Sequence, residues 1–186
     1  MSQLIKNLVD VSEYADDGKK LFDENPTPIE LKYRIVRGKH ILDNADMPTQ
    51  VSNSVSIYNN PRYEILYYKV KREIEKITGK RLHRTYYYER LYKQNNVLTK
   101  HVDRPACEVS VSLHLSSSIK TPWSIFFEQD VVKEYKADVG DAILYNGIDT
   151  PHWRQPLICS DKDYYHQIFF HFVDADGEYA HFAFDR

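Results

Sequence analysis

Between residues 62 and 78, Tyr63, Leu66, Val70, Ile74 and Ile77 recur three or four positions apart, with Lys, Arg and Glu filling the other faces. That period predicts an amphipathic helix whose apolar stripe covers one face of a sheet. Pro61 suits its first turn and Gly79 the position just past its end. Beyond Gly79 the period drops to two. Segments 84–92, 109–116, 123–128, 131–136, 142–145, 165–173 and 179–184 each read as a short strand. Turn signals separate them at Asn95-Asn96, Arg104-Pro105, Thr121-Pro122, Asn146-Gly147 and Asp176-Gly177. Seven or more strands beside one covering helix predict a mainly β protein with accessory helices, a sandwich or barrel of the jelly-roll kind.

The N-terminal third carries weaker patterns. A short helix fits 11–22, ended by Pro26 and Pro28, and the alternation over 29–36 fits a strand. At 186 residues the chain has the size of one domain. We divide it into an N-terminal wrapping (1–60), the covering helix (61–79) and the β core (80–186).

Composition narrows the class. A hydrophobic share of 42% and fifteen Tyr favour a folded chain over a disordered one. The net charge of −2 gives no basic footprint for nucleic acid, and the Tyr86-Tyr87-Tyr88 run lacks the interleaved basic residues of a base-stacking platform. Cys107 and Cys159 are too few for a disulfide scaffold or a zinc knuckle. Neither a signal pattern nor a run of eighteen apolar residues occurs, so the expectation is a soluble cytoplasmic protein without membrane contact. Oligomeric state leaves no mark in the sequence.

The strand at 109–116 puts Val109, Val111, Leu113 and Leu115 on one face and Ser110, Ser112, His114 and Ser116 on the other. The polar face either meets water or lines a wet cavity. Just before it lie His101 and Asp103, two apart in an extended segment and therefore on one side of the chain. A His-x-Asp triplet is common by chance in a chain with eight His. Its position at a strand end, with His152 some fifty residues on behind Gly140-Asp141-Ala142 and the Asn146-Gly147 turn, gives it weight. Two imidazoles and one carboxylate on one face of an ion leave the opposite face open, the arrangement of non-haem iron(II) oxygenases. Other residues have plainer readings: His171 as a satisfied core histidine or alternative ligand, Trp123 and Trp153 as core or rim, Cys107 as a buried thiol.

Tyr92, His101-Val102-Asp103, Gly140-Asp141-Ala142 and His152 together resemble the linear pattern of the iron(II)- and 2-oxoglutarate-dependent dioxygenases, in particular the prolyl-hydroxylase-like branch. The segments 101–108 and 152–154 are also similar to a subgroup found in microbes and their viruses. The resemblance spans about half the chain, residues 86–184. It implies a double-stranded β-helix (a jelly-roll or cupin-like barrel) with Fe(II) held by His101, Asp103 and His152. It also implies 2-oxoglutarate as cosubstrate, O2 as oxidant and ascorbate as an optional reductant. The implied reaction hydroxylates a peptide, an amino acid or another small organic substrate and releases succinate and CO2.

One position departs from that pattern. The family places Arg or Lys on the strand after the distal His, to pair with the far carboxylate of 2-oxoglutarate, and here Tyr165 stands there. Arg154 is the first substitute and Gln167 a neutral partner, with Lys162 and Arg104 as further cations. Tyr92 matches a family Tyr that touches the cosubstrate, and His114 offers a donor from the polar strand face. Two alternatives stay open: a cupin-like metal enzyme of another class, such as an isomerase or lyase, and a non-catalytic β-barrel binding protein.

Overall fold

The computed structural model describes residues 2–37, 39–44 and 50–184. Its strands are β1 (Ser2–Ile5), β2 (Ile29–Val36), β3 (Lys39–Asn44), β4 (Val55–Tyr58), β5 (Leu82–Tyr92), β6 (Leu98–His101), β7 (Val109–Ser117), β8 (Ile125–Glu128), β9 (Val132–Tyr135), β10 (Ala142–Tyr145), β11 (His152–Arg154) and β12 (Tyr165–Asp174). Its helices are α1 (Asp17–Glu24) and α2 (Glu64–Thr78).

Two sheets form, ordered β1-β10-β7-β12-β5-β4-β2-β3 and β6-β11-β8-β9. Counting the last eight strands in chain order, the first pairs with the eighth, the eighth with the third and the third with the sixth in one sheet. In the other, the second pairs with the seventh, the seventh with the fourth and the fourth with the fifth. This alternation between sheets is the double-stranded β-helix. Strands from residues 1–60 extend the larger sheet at both edges, β1 beside β10 and β4-β2-β3 beyond β5.

Helix α2 forms where its apolar period places it. Asn60 Oδ1 accepts from the Arg62 N–H at 3.1 Å before the helix starts. Gly79, at φ +67°, ends it by donating its N–H to Glu75 O at 2.9 Å. Leu66, Tyr67, Val70 and Ile74 bury against Leu82, Tyr87, Val111, Leu113, Leu115, Ile168, Phe170 and Phe172 on the outer face of the large sheet. Each such side chain contributes about 2 kcal/mol of hydrophobic burial. Ile77, expected in that stripe, is instead exposed on the last turn of the helix.

Two further expectations change. The helix expected over 11–22 splits into a 3-10 turn at Ser12–Tyr14 and α1 at Asp17–Glu24. The strand expected over 179–184 is a 3-10 turn, Glu178–Phe182. Its alternating residues pair with no strand among the described residues, and the Phe184 N–H donates to Arg84 O at 2.7 Å. The polar face of β7 turns inward at Ser110, Ser112 and His114, whereas Ser116, also buried, pairs with His166 beyond a register shift and packs against Gly18 of α1.

Candidate metal centre

The inner wall of the large sheet is built from alternate residues of paired strands. On β5 these are Tyr86, Tyr88, Arg90 and Tyr92; on β12, Tyr165, Gln167, Phe169 and His171; on β7, Ser110, Ser112 and His114. His101, at the end of β6, and His152, at the start of β11, are direct cross-strand partners in the small sheet. Their rings lie 4.3 Å apart between centroids. Asp103 follows β6 and is anchored by its own N–H, which donates to Gly147 O at 2.8 Å.

Asp103 Oδ1 lies 3.5 Å from His101 Nε2 and 3.8 Å from His152 Nε2. Ligand atoms of all three residues fall within 4.8 Å of one another. Two ligands about 2.1 Å from one ion at right angles would be about 3 Å apart, so small side-chain shifts close the set. Each imidazole is already oriented. Nδ1–H of His101 donates to Thr99 O at 2.7 Å and that of His152 to Thr150 O at 3.0 Å, which turns both Nε2 lone pairs inward. Electrostatics fit a cation site. Burial pushes the Asp103 carboxyl up, but the imidazoles of His101, His152 and His171 outweigh it and hold it below its ordinary value. At His101 burial pulls down, while the Asp103 carboxylate and the Thr99 carbonyl prevail and raise it. His152 is more deeply buried, and burial lowers it.

Gly147 explains the turn before His152. A Cβ there would run into the carbonyl oxygen of Cys107 and approach Asp103 Oδ2 to 2.7 Å and Ser110 Oγ to 2.9 Å. The turn can seat the carboxylate only because this residue has no side chain.

Arg154, Gln167, His114 and Tyr92 are all buried in the same interior. Arg154 is 1% exposed, and its guanidinium donates to Trp123 O at 2.5 Å and to Gln167 Oε1 at 2.9 Å. It lies 4.6 Å from the Trp123 ring centre and 5.4 Å from that of Tyr165. It makes no ion pair among the described residues, and its Nε has no hydrogen-bond partner. Gln167 Oε1 also accepts from Ser112 Oγ at 3.1 Å, while its Nε2 is unpartnered. His114 donates Nδ1–H to Ala137 O at 2.9 Å, leaves Nε2 unpartnered, and is driven by burial to a pKa of about 4. The Tyr92 hydroxyl is buried without a partner. Tyr165 stacks on His114 at 4.1 Å. Lys162 is exposed in the turn before β12, and Arg104 lies over the Tyr86 ring at 4.6 Å.

His171 joins Asp103 and Cys107 in a second group whose ligand atoms lie within 4.8 Å. Ser110 Oγ donates to Cys107 O and accepts from His171 Nδ1–H, both at 2.9 Å, so His171 stands behind Asp103 with Nε2 unpartnered. Two residues absent from the sequence reading also reach the centre. The Gln50 amide donates to His101 Nε2 at 2.9 Å and accepts from Arg90 Nη1 at 2.8 Å. Arg90 was legible, since it alternates with Tyr88 and Tyr92 on the inner face of a strand. Gln50 follows no pattern.

Neither a protein-family model nor a curated protein matches the sequence. Solved structures do match. A Pseudomonas putida prolyl-4-hydroxylase superposes with TM-score 0.61 at 12% identity, over 93% of this chain and 92% of that one. SnoN, a non-haem α-ketoglutarate-dependent epimerase from nogalamycin biosynthesis, gives 0.63 at 12% identity over 94% and 78%. HygX from Streptomyces hygroscopicus, solved with nickel and 2-oxoglutarate bound, gives 0.59 at 11% identity over 94% and 83%. The chain thus shares the double-stranded β-helix fold of the iron(II)- and 2-oxoglutarate-dependent oxygenases, prolyl hydroxylases among them.

Proposed function

We propose that the protein is a non-haem iron(II)- and 2-oxoglutarate-dependent oxygenase that hydroxylates a peptide, amino acid or other small organic substrate, with release of succinate and CO2. The observation that carries this reading is the convergence of His101, Asp103 and His152 on one point, with Nε2 of both imidazoles turned toward it. Two imidazoles and a carboxylate suit Fe(II), and they leave coordination positions for other ligands. When bound, iron(II) with 2-oxoglutarate and O2 supplies the oxidizing power to break an unactivated C–H bond.

The protein's share is positioning and exclusion of water. Thr99 and Thr150 fix the imidazoles through their carbonyls, and Gly147 seats the carboxylate. In this reading Arg154 receives the far carboxylate of 2-oxoglutarate, a role that the Arg–carboxylate geometry favours and that its lack of an ion pair leaves open. Gln167 Nε2, His114 Nε2 and the Tyr92 hydroxyl are further unpartnered polar atoms on that wall. Trp123, Phe127 and Tyr165 keep the interior dry.

A second reading, a metal-dependent isomerase or lyase that takes no 2-oxoglutarate, draws on Tyr165 standing where the oxygenases place a cation. One experiment separates the two: the protein is incubated with Fe(II) and 2-oxoglutarate in air and assayed for succinate, and the visible band of the iron–2-oxoglutarate complex is sought without oxygen. Succinate and the band are expected. Iron binding with neither result transfers the case to the second reading, and absence of any metal binding leaves a binding protein.

A further inference from the structure

We propose that Arg90 anchors a free carboxylate on the substrate, so that the substrate is a small carboxylic acid such as an amino acid or a modified amino acid. The inference rests on the oxygenase reading above and adds the substrate class to it. Arg90 is 1% exposed. Its Nε donates to Ser56 Oγ at 2.9 Å, its Nη1 donates to Gln50 Oε1 at 2.8 Å, and it lies 5.2 Å from the Tyr88 ring centre. Among the described residues it makes no ion pair. Glu30, in the same row across β2, β4 and β5 through Ser56, feels the Arg90 charge but makes no ion pair with it. A guanidinium kept dry with only neutral acceptors is costly to the fold, and a carboxylate is the partner that its planar fork matches.

What marks the site is the Gln50 side chain. One carboxamide spans Arg90 Nη1 and His101 Nε2, so the arginine lies one small planar group away from a proposed metal ligand. A carboxamide has the size and shape of a carboxylate. Were His101 Nε2 committed to a metal, the Gln50 amide would lose that acceptor and be held by Arg90 Nη1 alone, a bond open to competition from a carboxylate. A substrate carboxylate then takes the oxygen position that Gln50 gives up and sets its neighbouring carbons beside the metal. Tyr88, stacked between Tyr58 at 4.9 Å and Phe169 at 4.8 Å, forms with them a row of aromatic edges beside the guanidinium for the remainder of the molecule. Arg154, on the far side of Gln167, is left for the cosubstrate, and the two arginines divide the two acids between them.

The test uses the full chain loaded anaerobically with Zn(II), with and without 2-oxoglutarate. The probes are N-acetyl amino acids, each as the free acid and as the primary amide, with binding read by ligand-observed NMR titration. Free acids are expected to bind at least tenfold more tightly than their amides. Arg90→Met should erase that difference while changing the Kd for 2-oxoglutarate less than threefold. Gln50→Ala, at an exposed position, should tighten acid binding by removing the internal competitor. The proposal is overturned if no acid is preferred over its amide, if Gln50→Ala weakens the acids, or if Arg90→Met costs as much 2-oxoglutarate affinity as Arg154→Leu. A wild-type protein that prefers acids on Zn(II) but takes no 2-oxoglutarate would retain the Arg90 assignment and refute the oxygenase reading alone.

Discussion

Replacing Arg154 with Leu separates cosubstrate binding from metal binding. Among the described residues, the Arg154 guanidinium has two neutral acceptors, Trp123 O and Gln167 Oε1, and no carboxylate. Its removal relieves a buried charge whose desolvation costs several kcal/mol. The change also strands the Trp123 carbonyl, at about 1–3 kcal/mol, while Gln167 Oε1 keeps the Ser112 hydroxyl at 3.1 Å. These effects oppose each other, so stability should move by no more than about 2 kcal/mol. Binding is different. Truncating one side of a buried guanidinium–carboxylate pair loses about 2–5 kcal/mol, and about 3 kcal/mol corresponds to roughly a hundredfold rise in the Kd for 2-oxoglutarate. The three metal ligands keep their supports, so iron affinity should stay within about threefold. Anaerobic titration of 2-oxoglutarate into the Fe(II) protein, followed at the visible band, measures the first effect, and metal titration by calorimetry measures the second. An equal fall in both, or an unchanged 2-oxoglutarate Kd, would refute the assignment and direct attention to Arg104 or Arg90.

Asp103→Ala should abolish turnover and lower metal affinity by about a hundredfold with an unchanged circular dichroism spectrum, because its structural bond to Gly147 is made by the backbone; metal content after dialysis and succinate release check this, and retained turnover removes Asp103 from the ligand set. Gly147→Ala should weaken metal binding at least tenfold, since the added Cβ displaces Asp103 Oδ2. Gly79→Ala, with open space around it but φ +67°, should cost about 1 kcal/mol of stability and leave metal binding alone. Acid should unfold the apo protein through His114 and His171, both driven by burial to a pKa of about 4. Between pH 6.5 and 4 the unfolded chain binds more protons, so stability is full above the ordinary histidine value and falls as pH drops through that window, by about 3 kcal/mol per histidine. Urea titrations at stepped pH measure the slope, and His114→Gln combined with His171→Gln should flatten it; an unchanged slope would place the acid sensitivity elsewhere.

Much of the fold was legible because its signals are local. The period of α2 and the strict alternation of β7 depend only on which side chains share a face, and Pro61 and Gly79 mark the helix ends by backbone geometry alone. Expectations failed where the outcome lay beyond the segment. Ile77 keeps the helical period but stays exposed on the last turn, and residues 179–184 alternate like a strand yet pair with no strand among the described residues. The inward direction of Ser110, Ser112 and His114 depended on the second sheet, which no single strand announces.

For the centre, spacing along the chain nominated His101, Asp103 and His152, since a strand end and a two-residue period already put the first pair on one side. Only the tertiary structure could set His152 opposite His101 in register, turn both Nε2 atoms inward through the Thr99 and Thr150 carbonyls, and bury Arg154 against Gln167. It alone brought Gln50 and Arg90 to the same point from strands and loops distant in sequence. The reason is physical: side-chain periodicity is written in neighbouring residues, whereas meeting at one ion requires the pairing register of two sheets, which long-range packing decides.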